Sequence, residues 1–283
     1  AEQERLQELV AQRVARQLQS NTITPVTSPT SYMKNKGISP KAGAYTDIHG
    51  ESTYIPAIDA EGKQWTMQYI QGDGTKRFAK GGRKEGCFHV VGGEAELAKA
   101  PVLVIGEGYA TASSISQVLE FATVAAFDSG NLVHVAEALH QKYPDKPVVI
   151  TGDDDKHLEL TMGINPGRRK AEEAAIAVGG KVLLPIFAPG EQTYPASLDP
   201  VTPDKYAKGD LSEEQRAAVE NMKRYTDFND LATKSVLGQE GIARQVRSVV
   251  NDIIENQQAK IQKQQQDRVH HQEHRPRKAS RIG

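Results

Sequence analysis

Cysteine is almost missing from this chain. Cys87 stands alone among 283 residues, which excludes an intramolecular disulfide framework and any zinc site built from several cysteines. A reducing, cytoplasmic setting is the expectation that follows. Long apolar runs are missing as well: those at 102–105 and 148–150 fall far short of the roughly 20 apolar residues a bilayer-crossing helix needs, and no signal-peptide pattern precedes them. No glycine-rich loop ending in Gly-Lys-Ser/Thr occurs, so a P-loop motor is excluded from this stretch of chain. The chain also opens on Ala1 rather than Met, inside a polar helical pattern, and is expected to be part of something longer.

What is present is a globular composition with polar ends. Hydrophobic residues make up 38% and charged residues 25%, the net charge is -1, and the mean hydropathy is -0.54, so polar segments dilute a core-forming middle. The length suits one large domain or two modest ones. Leu6, Leu9, Val10, Val14 and Leu18 recur at helical spacing and predict an amphipathic helix over 2–19, docked on the body or continuing from an upstream domain. Residues 20–31, rich in Ser, Thr, Asn and Pro, predict a linker. Two strands, 52–58 and 64–70, with turn signals at 59–62 and 72–74, predict an antiparallel meander. Its third limb carries Lys76, Arg77, Phe78, Lys80, Arg83 and Lys84 around Gly81 and Gly82.

From 101 to 185 the pattern changes. Short Val/Ile/Leu/Ala runs at 102–105, 123–126, 148–150 and 182–184 lack in/out alternation, as strands covered on both faces do. Between them, 111–120, 132–142 and 166–178 have helical spacing, the last with Pro166 early and Gly179-Gly180 at its end. A βαβαβαβ series of this kind makes an open parallel sheet with flanking helices, which binds ligands beyond the carboxyl ends of its strands. The last 28 residues, 256–283, hold seven Lys or Arg against two Asp or Glu. They predict a frayed helix end and a disordered basic tail, either merely solvated or attracting polyanions. His270, His271 and His274 within it are expected to be incidental.

The strand-end rule gathers the acids. Glu107 follows the first parallel strand, Asp128 and Asn131 follow the second, and Asp153, Asp154 and Asp155 follow the third. Alternation in an extended segment points Asp153 and Asp155 one way and Asp154 the other, and Glu107 approaches them if the first and third strands are neighbours. Carboxylates at about 4 Å repel by roughly 4 kcal/mol per pair at an effective dielectric near 20, so they must bind a proton or a cation. An all-oxygen set favours Mg²⁺ or Mn²⁺ over zinc and suits attack at phosphorus. Acids at strand ends also serve as solubilising loops and helix caps, and spacing alone leaves both readings open.

Residues 107–112 read EGYATA, which closely resembles the motif of plasmid conjugative DNA primases of the TraC type and of the phage P4-type alpha primase. Asp153-Asp154-Asp155 resembles the DxD of the Toprim fold, and the resemblance covers residues 32 to 235. It implies a general acid/base role for Glu107 in nucleotidyl transfer and metal binding by Asp153 and Asp155, with Glu107 also close to the ion. Residues 227–231 (DFNDL) resemble a segment following the Toprim core in such primases, which suggests Asp227 as a further metal ligand and Asn229 and Asp230 as nucleotide contacts. Asn165, opening the Asn-Pro-Gly turn after DxD, and Lys170 on the helix beyond it are grouped with Asp128 and Asn131 as nucleotide or nucleic-acid contacts. The limb with Lys76, Arg77, Lys80, Arg83 and Lys84 resembles the basic segment preceding the core. Its alternative is an ordinary exposed hairpin face.

The expectation is a Toprim-like α/β fold, an open parallel sheet with flanking helices preceded by a small, mainly antiparallel module. The boundaries are a helix and linker at 1–31, a basic module at 32–98, the core at 99–190, a helical extension at 191–255 and the tail at 256–283. The resemblance implies a Mg²⁺-dependent (or Mn²⁺-dependent) primase, active in plasmid conjugation or mobile-element replication. It would join ribonucleoside triphosphates on a single-stranded DNA template, with upstream domains as further partners. The rivals are a Toprim nuclease using the same carboxylates and a non-enzymatic module that escorts single-stranded DNA. Tyr109, Cys87 and Trp65 are expected to pack rather than react, and His157 to be a loop residue.

Overall fold

The computed structural model describes residues 2–273, so Ala1 and the last ten residues of the expected tail, His274 among them, lie outside the described residues. The chain opens on helix α1 (Glu2–Leu18), which buries Val10 and Val14 against Met67 and Ala79. It docks on the body, where the Tyr69 hydroxyl also donates to Gln17 Oε1 at 2.7 Å. The segment expected as a linker contains an edge strand, β1 (Ile23–Pro25), paired antiparallel with β2 (Tyr45–Asp47). Ile23 and Thr24 favour a strand, and backbone pairing there outweighs the weak strand propensity of Pro25 and of the surrounding Ser and Asn. A short helix, α2 (Ser31–Asn35), is capped by Thr30, whose hydroxyl accepts from Met33 N at 3.2 Å.

The meander is present: β3 (Thr53–Ile58), β4 (Gln64–Ile70) and β5 (Lys76–Phe78) complete a sheet ordered β1-β2-β3-β4-β5, antiparallel throughout. Its first turn is built on Asp59, whose carboxylate accepts from the N–H groups of Glu61 and Lys63 and from Trp65 Nε1. Gly62 at φ 85° supplies the left-handed residue that such a turn requires.

A second sheet runs β10-β9-β7-β8-β6, made of β6 (His89–Val91), β7 (Leu103–Gly106), β8 (Thr123–Ala125), β9 (Val148–Thr151) and β10 (Lys181–Leu183). β7, β8, β9 and β10 pair in parallel; β6 joins the β8 edge antiparallel. The boundary expected at 98/99 therefore does not separate the sheets, because a strand from residues 32–98 is hydrogen-bonded into the second one. After β6 comes a short helix, α3 (Glu94–Lys99). Helices α5 (Leu132–Lys142) and α7 (Pro166–Val178) cover one face through Leu103, Ile105, Val148 and Ile150. On the other face Val102, Val104 and Val149 meet α4 (Tyr109–Leu119), α10 (Phe228–Thr233) and α11 (Gly238–Glu273). Alternate residues of each strand thus serve opposite cores, which explains why the strands read as continuous apolar runs.

The smaller helices α6 (Lys156–Met162), α8 (Pro203–Ala207) and α9 (Glu213–Met222) gather after β9 and β10. Helix α11 runs past residue 255, the expected boundary of the helical extension, and reaches Glu273. Gln, Lys, Arg and Glu are good helix formers and no Gly or Pro interrupts the stretch, and the Gln257 amide ties its start to the body by donating to Asp145 O at 2.7 Å. Among the described residues no helix is long and apolar enough to cross a membrane.

His89 connects the two sheets. It is 3% exposed, its Nδ1 lies 3.0 Å from Pro56 O, its Nε2 has no partner, and its ring meets Tyr109 edge-on at 5.5 Å. Burial lowers its pKa from 6.5 to about 4, against the pull of the Pro56 carbonyl. A folded value below the unfolded one means that the unfolded chain binds the extra proton between these two pH values. The stability His89 preserves at pH 7 is therefore lost as pH falls from 6.5 towards 4, by about 3 kcal/mol over the full window. Urea melts of the wild type and His89→Phe at pH 7.0 and 5.0 should show a smaller acid-induced drop in the variant.

Candidate active site

The site lies where β7 and β9 end side by side, with Gly106 paired to Thr151. A Cβ on Gly106 would sit 2.9 Å from Thr151 Oγ1, so a glycine is what lets the strand ends close together. Because β7 and β9 are neighbours, Glu107 and the aspartate loop meet: Glu107 Oε1 accepts from Asp153 N at 3.3 Å. Gly108 stands at the N-cap of α4 without a side-chain bond to that helix end.

The acids repel one another in a water-poor setting. Burial pushes the Glu107 carboxyl up to about 7, with the charges of Asp155, Asp227 and Asp128 adding to it and the Asp153 N–H opposing it. Asp153 is held well above the ordinary carboxylate range by burial and then by Glu107, Asp227 and Asp155. Its Oδ1 is buried with no hydrogen-bond partner. Asp227 is raised by burial and by Asp230, with the Asp230 N–H, Lys36 and Lys234 opposing; its Oδ1 caps α10 by accepting from Asp230 N at 2.7 Å. Among the described residues no three His, Cys, Asp or Glu side chains form a ready-made metal cage. The carboxylates share a field without being drawn into ligating distance.

Asp155 is anchored by α7: its Oδ2 accepts from Gly167 N at 3.0 Å and its N–H donates to Asn165 Oδ1 at 3.0 Å. Asn165 caps α7 with the same oxygen, 3.2 Å from Arg168 N. Asp154, only 3% exposed, is committed elsewhere. Its Oδ1 accepts from Asn165 Nδ2 at 2.8 Å and Arg168 Nη2 at 3.0 Å, and Lys156 Nζ lies 3.6 Å from its Oδ2. A cleft of about 640 Å³ beside Asp154 is lined by Lys156, Arg168 and Phe187 on the β10 side. Another of about 570 Å³, at Asp59, Arg83 and His134, has none of the acids of this cluster in its wall.

Across from the acids stand two lysines. Much of Lys76 as a residue is open to solvent, yet loss of hydration and then Lys36 lower its pKa while Asp227 and Asp153 oppose the shift. Its Nζ also lies 5.7 Å from the Tyr32 ring centroid. Lys36 carries no sequence signal and was not among the predicted site residues; it follows α2 and is placed by Asn229, whose Nδ2 donates to Lys36 O at 2.7 Å and to Ser114 Oγ at 2.9 Å.

The rest of the predicted basic limb does not share this direction. Lys84 pairs with Asp128 at 2.5 Å, Arg83 lies 4.8 Å from the Trp65 ring, and Arg77 and Lys80 face solvent. Several residues expected as nucleotide contacts make bonds to the protein itself. Asn131 is 3% exposed, donating to Cys87 O and Ala126 O and accepting from Gly86 N. Asn229 is fully buried. Asp230 accepts from Thr226 and pairs with Lys234 at 2.6 Å, and Lys170 pairs with Glu173 on the surface. Short polar side chains after strands read alike whether they face a ligand or close a turn, which is why the sequence did not separate them.

Phe127 was also missed as a site element. It takes a left-handed φ of 76°, uncommon for an aromatic residue, and its ring meets Phe78 edge-on at 5.1 Å. This contact joins the end of β8 to β5, the strand that carries Lys76.

Two carboxylate-bearing loops at the ends of adjacent parallel strands, Glu on the first and DxD on the second, define the class. Residues 102–189 match the family model described as Toprim domain, and that stretch of the chain is a Toprim domain. More particularly, the chain is similar to a DNA primase TraC of Escherichia coli, at 55% identity over 98% of this chain and 29% of that protein. A second Escherichia coli DNA primase TraC is 53% identical over 100% of this chain and 21% of its own length. The chain thus spans less than a third of the curated relatives it matches. Among solved structures, the primase fragment of the bacteriophage T7 primase-helicase protein aligns over 72% of this chain and 76% of that one, at 13% identity and a TM-score of 0.42.

Proposed function

We propose that this chain is the catalytic region of a primase, which joins ribonucleoside triphosphates on a single-stranded DNA template with Mg²⁺ or Mn²⁺ and releases pyrophosphate. The observation that carries the reading is the approach of Glu107 to Asp153, with Asp153 Oδ1 buried and unpartnered at the open ends of β7 and β9. That oxygen needs a proton or a cation, and the donor set around it is all oxygen, which fits a hard divalent ion. Asp153, Asp155 and Glu107 would hold it, with Asp227 in the same field. The bound ion would stabilise charge developing at phosphorus and orient the reacting oxygens.

The chain's own groups divide the remaining work. Glu107, at the edge of this set on the loop after β7, is the group placed to take or return a proton during nucleotidyl transfer. Lys36 and Lys76 offer charge to the phosphates of an incoming nucleotide, and exposed Arg77 and Lys80 offer it to the template backbone. Asn165 and the Gly167 N–H hold Asp155, and the Asn229 amide fixes the Lys36 backbone.

A template-dependent assay with labelled ribonucleotides, with and without Mg²⁺, tests the reading. Metal-dependent incorporation supports it. Cleavage of the DNA in the absence of nucleotides would indicate a nuclease, and salt-sensitive DNA binding without turnover an escort module. A metal titration supplies a second check. With the folded Glu107 value near 7 against an ordinary 4.5, the metal-free folded state binds extra protons between these values, so its stability falls as pH rises through that window. A cation competes with those protons. Saturating Mg²⁺, at about 100 times its Kd, should add roughly 2.7 kcal/mol at pH 8, and distinctly less at pH 5.5, read as a shift in thermal midpoint.

A further inference from the structure

Asp154, the middle residue of the DxD loop, is bonded more densely than either of its neighbours. The residue is 3% exposed, and its carboxylate receives Asn165 Nδ2 at 2.8 Å and Arg168 Nη2 at 3.0 Å, with Lys156 Nζ at 3.6 Å. Its backbone is held on both sides: Asp154 N donates to Thr226 O at 2.8 Å, and Asp154 O accepts from Gln192 Nε2 at 2.7 Å. The same Gln192 amide donates to Tyr225 O at 3.0 Å, two residues before Asp227. Asn165, while donating to Asp154, accepts from Asp155 N with its other amide atom. One residue therefore ties together the loop carrying Asp153 and Asp155, the turn opening α7, and the segment carrying Asp227.

We infer that Asp154 is a positioning residue: its carboxylate, acting through Asn165 and Arg168, fixes the loop from which Asp153 and Asp155 would close on a divalent cation, without itself facing the ion. Like-charged neighbours otherwise separate, because each carboxylate gains hydration and loses repulsion by moving away. The two cations at Asp154 counter that tendency. They neutralise the central charge, so that only the outer pair is left to attract an ion. The Asn165 amide then converts the position of Asp154 into the position of the Asp155 backbone.

The inference rests on the metal-dependent reading proposed above, and the experiment separates the two. Mn²⁺ binding to the full chain is measured by electron paramagnetic resonance titration at 20 °C, with thermal midpoints recorded alongside. Asp154→Asn keeps an oxygen that accepts from both Asn165 and Arg168, and should bind Mn²⁺ within about 3-fold of wild type. Asp154→Ala and Asn165→Ala remove the link and should each weaken binding by about 10-fold or more, at temperatures where they remain folded. Asn165→Ala provides the reading by itself where Asp154→Ala does not fold. If Asp154→Asn loses binding as completely as Asp154→Ala, Asp154 is a ligand and the inference is overturned. If the Ala variants melt earlier yet bind Mn²⁺ as wild type does, the bonds serve stability alone and it is overturned as well. Absence of saturable Mn²⁺ binding in the wild type would instead remove the metal reading, and the positioning role with it.

Discussion

Glu107→Gln is expected to lower templated ribonucleotide incorporation by about 10²–10⁴-fold, the range over which a positioned proton acceptor contributes. The amide keeps the shape of the side chain and an oxygen to accept from Asp153 N, now at 3.3 Å, so strand pairing and the DxD loop should stay in place. It also removes one of the charges that hold Asp153 well above its ordinary pKa, and the thermal midpoint without metal should hold or rise. Binding of single-stranded DNA, measured by fluorescence anisotropy, should change little, because the exposed cations Arg77 and Lys80 are untouched. Lost synthesis with retained binding is the expected pair of results. Retained synthesis would remove Glu107 from the proton-transfer role.

The second large effect is expected at Gly167. A Cβ there would lie 2.6 Å from Asp153 O, 2.9 Å from Asp155 Oδ2 and 3.0 Å from Asp153 Cβ. The first of these is backbone and cannot rotate away, so Gly167→Ala must push the DxD loop off α7 or tilt the start of the helix. Overpacking of this kind costs about 1–3 kcal/mol, and a displacement near 1 Å at reacting groups can reduce turnover by about 10². Denaturant melts should show the modest loss of stability. Primer synthesis should fall far more than that loss explains. Gly179→Ala, at the other end of the same helix, makes a useful contrast. It meets nothing within 4 Å but has a left-handed φ of 62°, so it should disturb stability while leaving synthesis near wild type.

Much of the architecture was legible because periodicity reports burial. The runs at 102–105, 123–126, 148–150 and 182–184 lie within one residue of β7, β8, β9 and β10, since strands feeding two cores must be apolar on both faces. Helix α7 was marked at both ends by Pro166 and Gly179. Strands β1 and β6 were harder to read. Each has three residues, too few to show a period, and each is stabilised by a neighbour distant in sequence. The helix that crosses the expected boundary at residue 255 runs further than its frayed end was expected to, for a related reason. Composition reports whether a segment can bury a face, whereas α11 continues on helix propensity and on the bond from Gln257 Nε2 to Asp145 O.

At the site, Glu107 and the aspartate loop were visible because a parallel sheet gathers its strand ends. The sequence could not reveal that Asn131, Asp230 and the Asn229 amide nitrogen are bonded internally, since their partners include the Cys87, Ala126 and Lys36 carbonyls. Backbone oxygens carry no residue-specific signal. Lys36 stayed hidden because it is one of several lysines in a short polar stretch, and only the fold brings it beside Asp227.

The antiparallel strand β6 has a consequence for how such proteins can be recombined. It is encoded before residue 99 yet completes the edge of the later sheet by pairing with β8, and Asn131 locks it further through Cys87 O and Gly86 N. A chimaera joined between α3 and β7 would pair one parent's edge strand with the other parent's sheet. Exchange of the cation-bearing front half between related Toprim proteins is therefore constrained by an interlocking seam. Residues 86–91 and their counterparts around 123–131 must be inherited together.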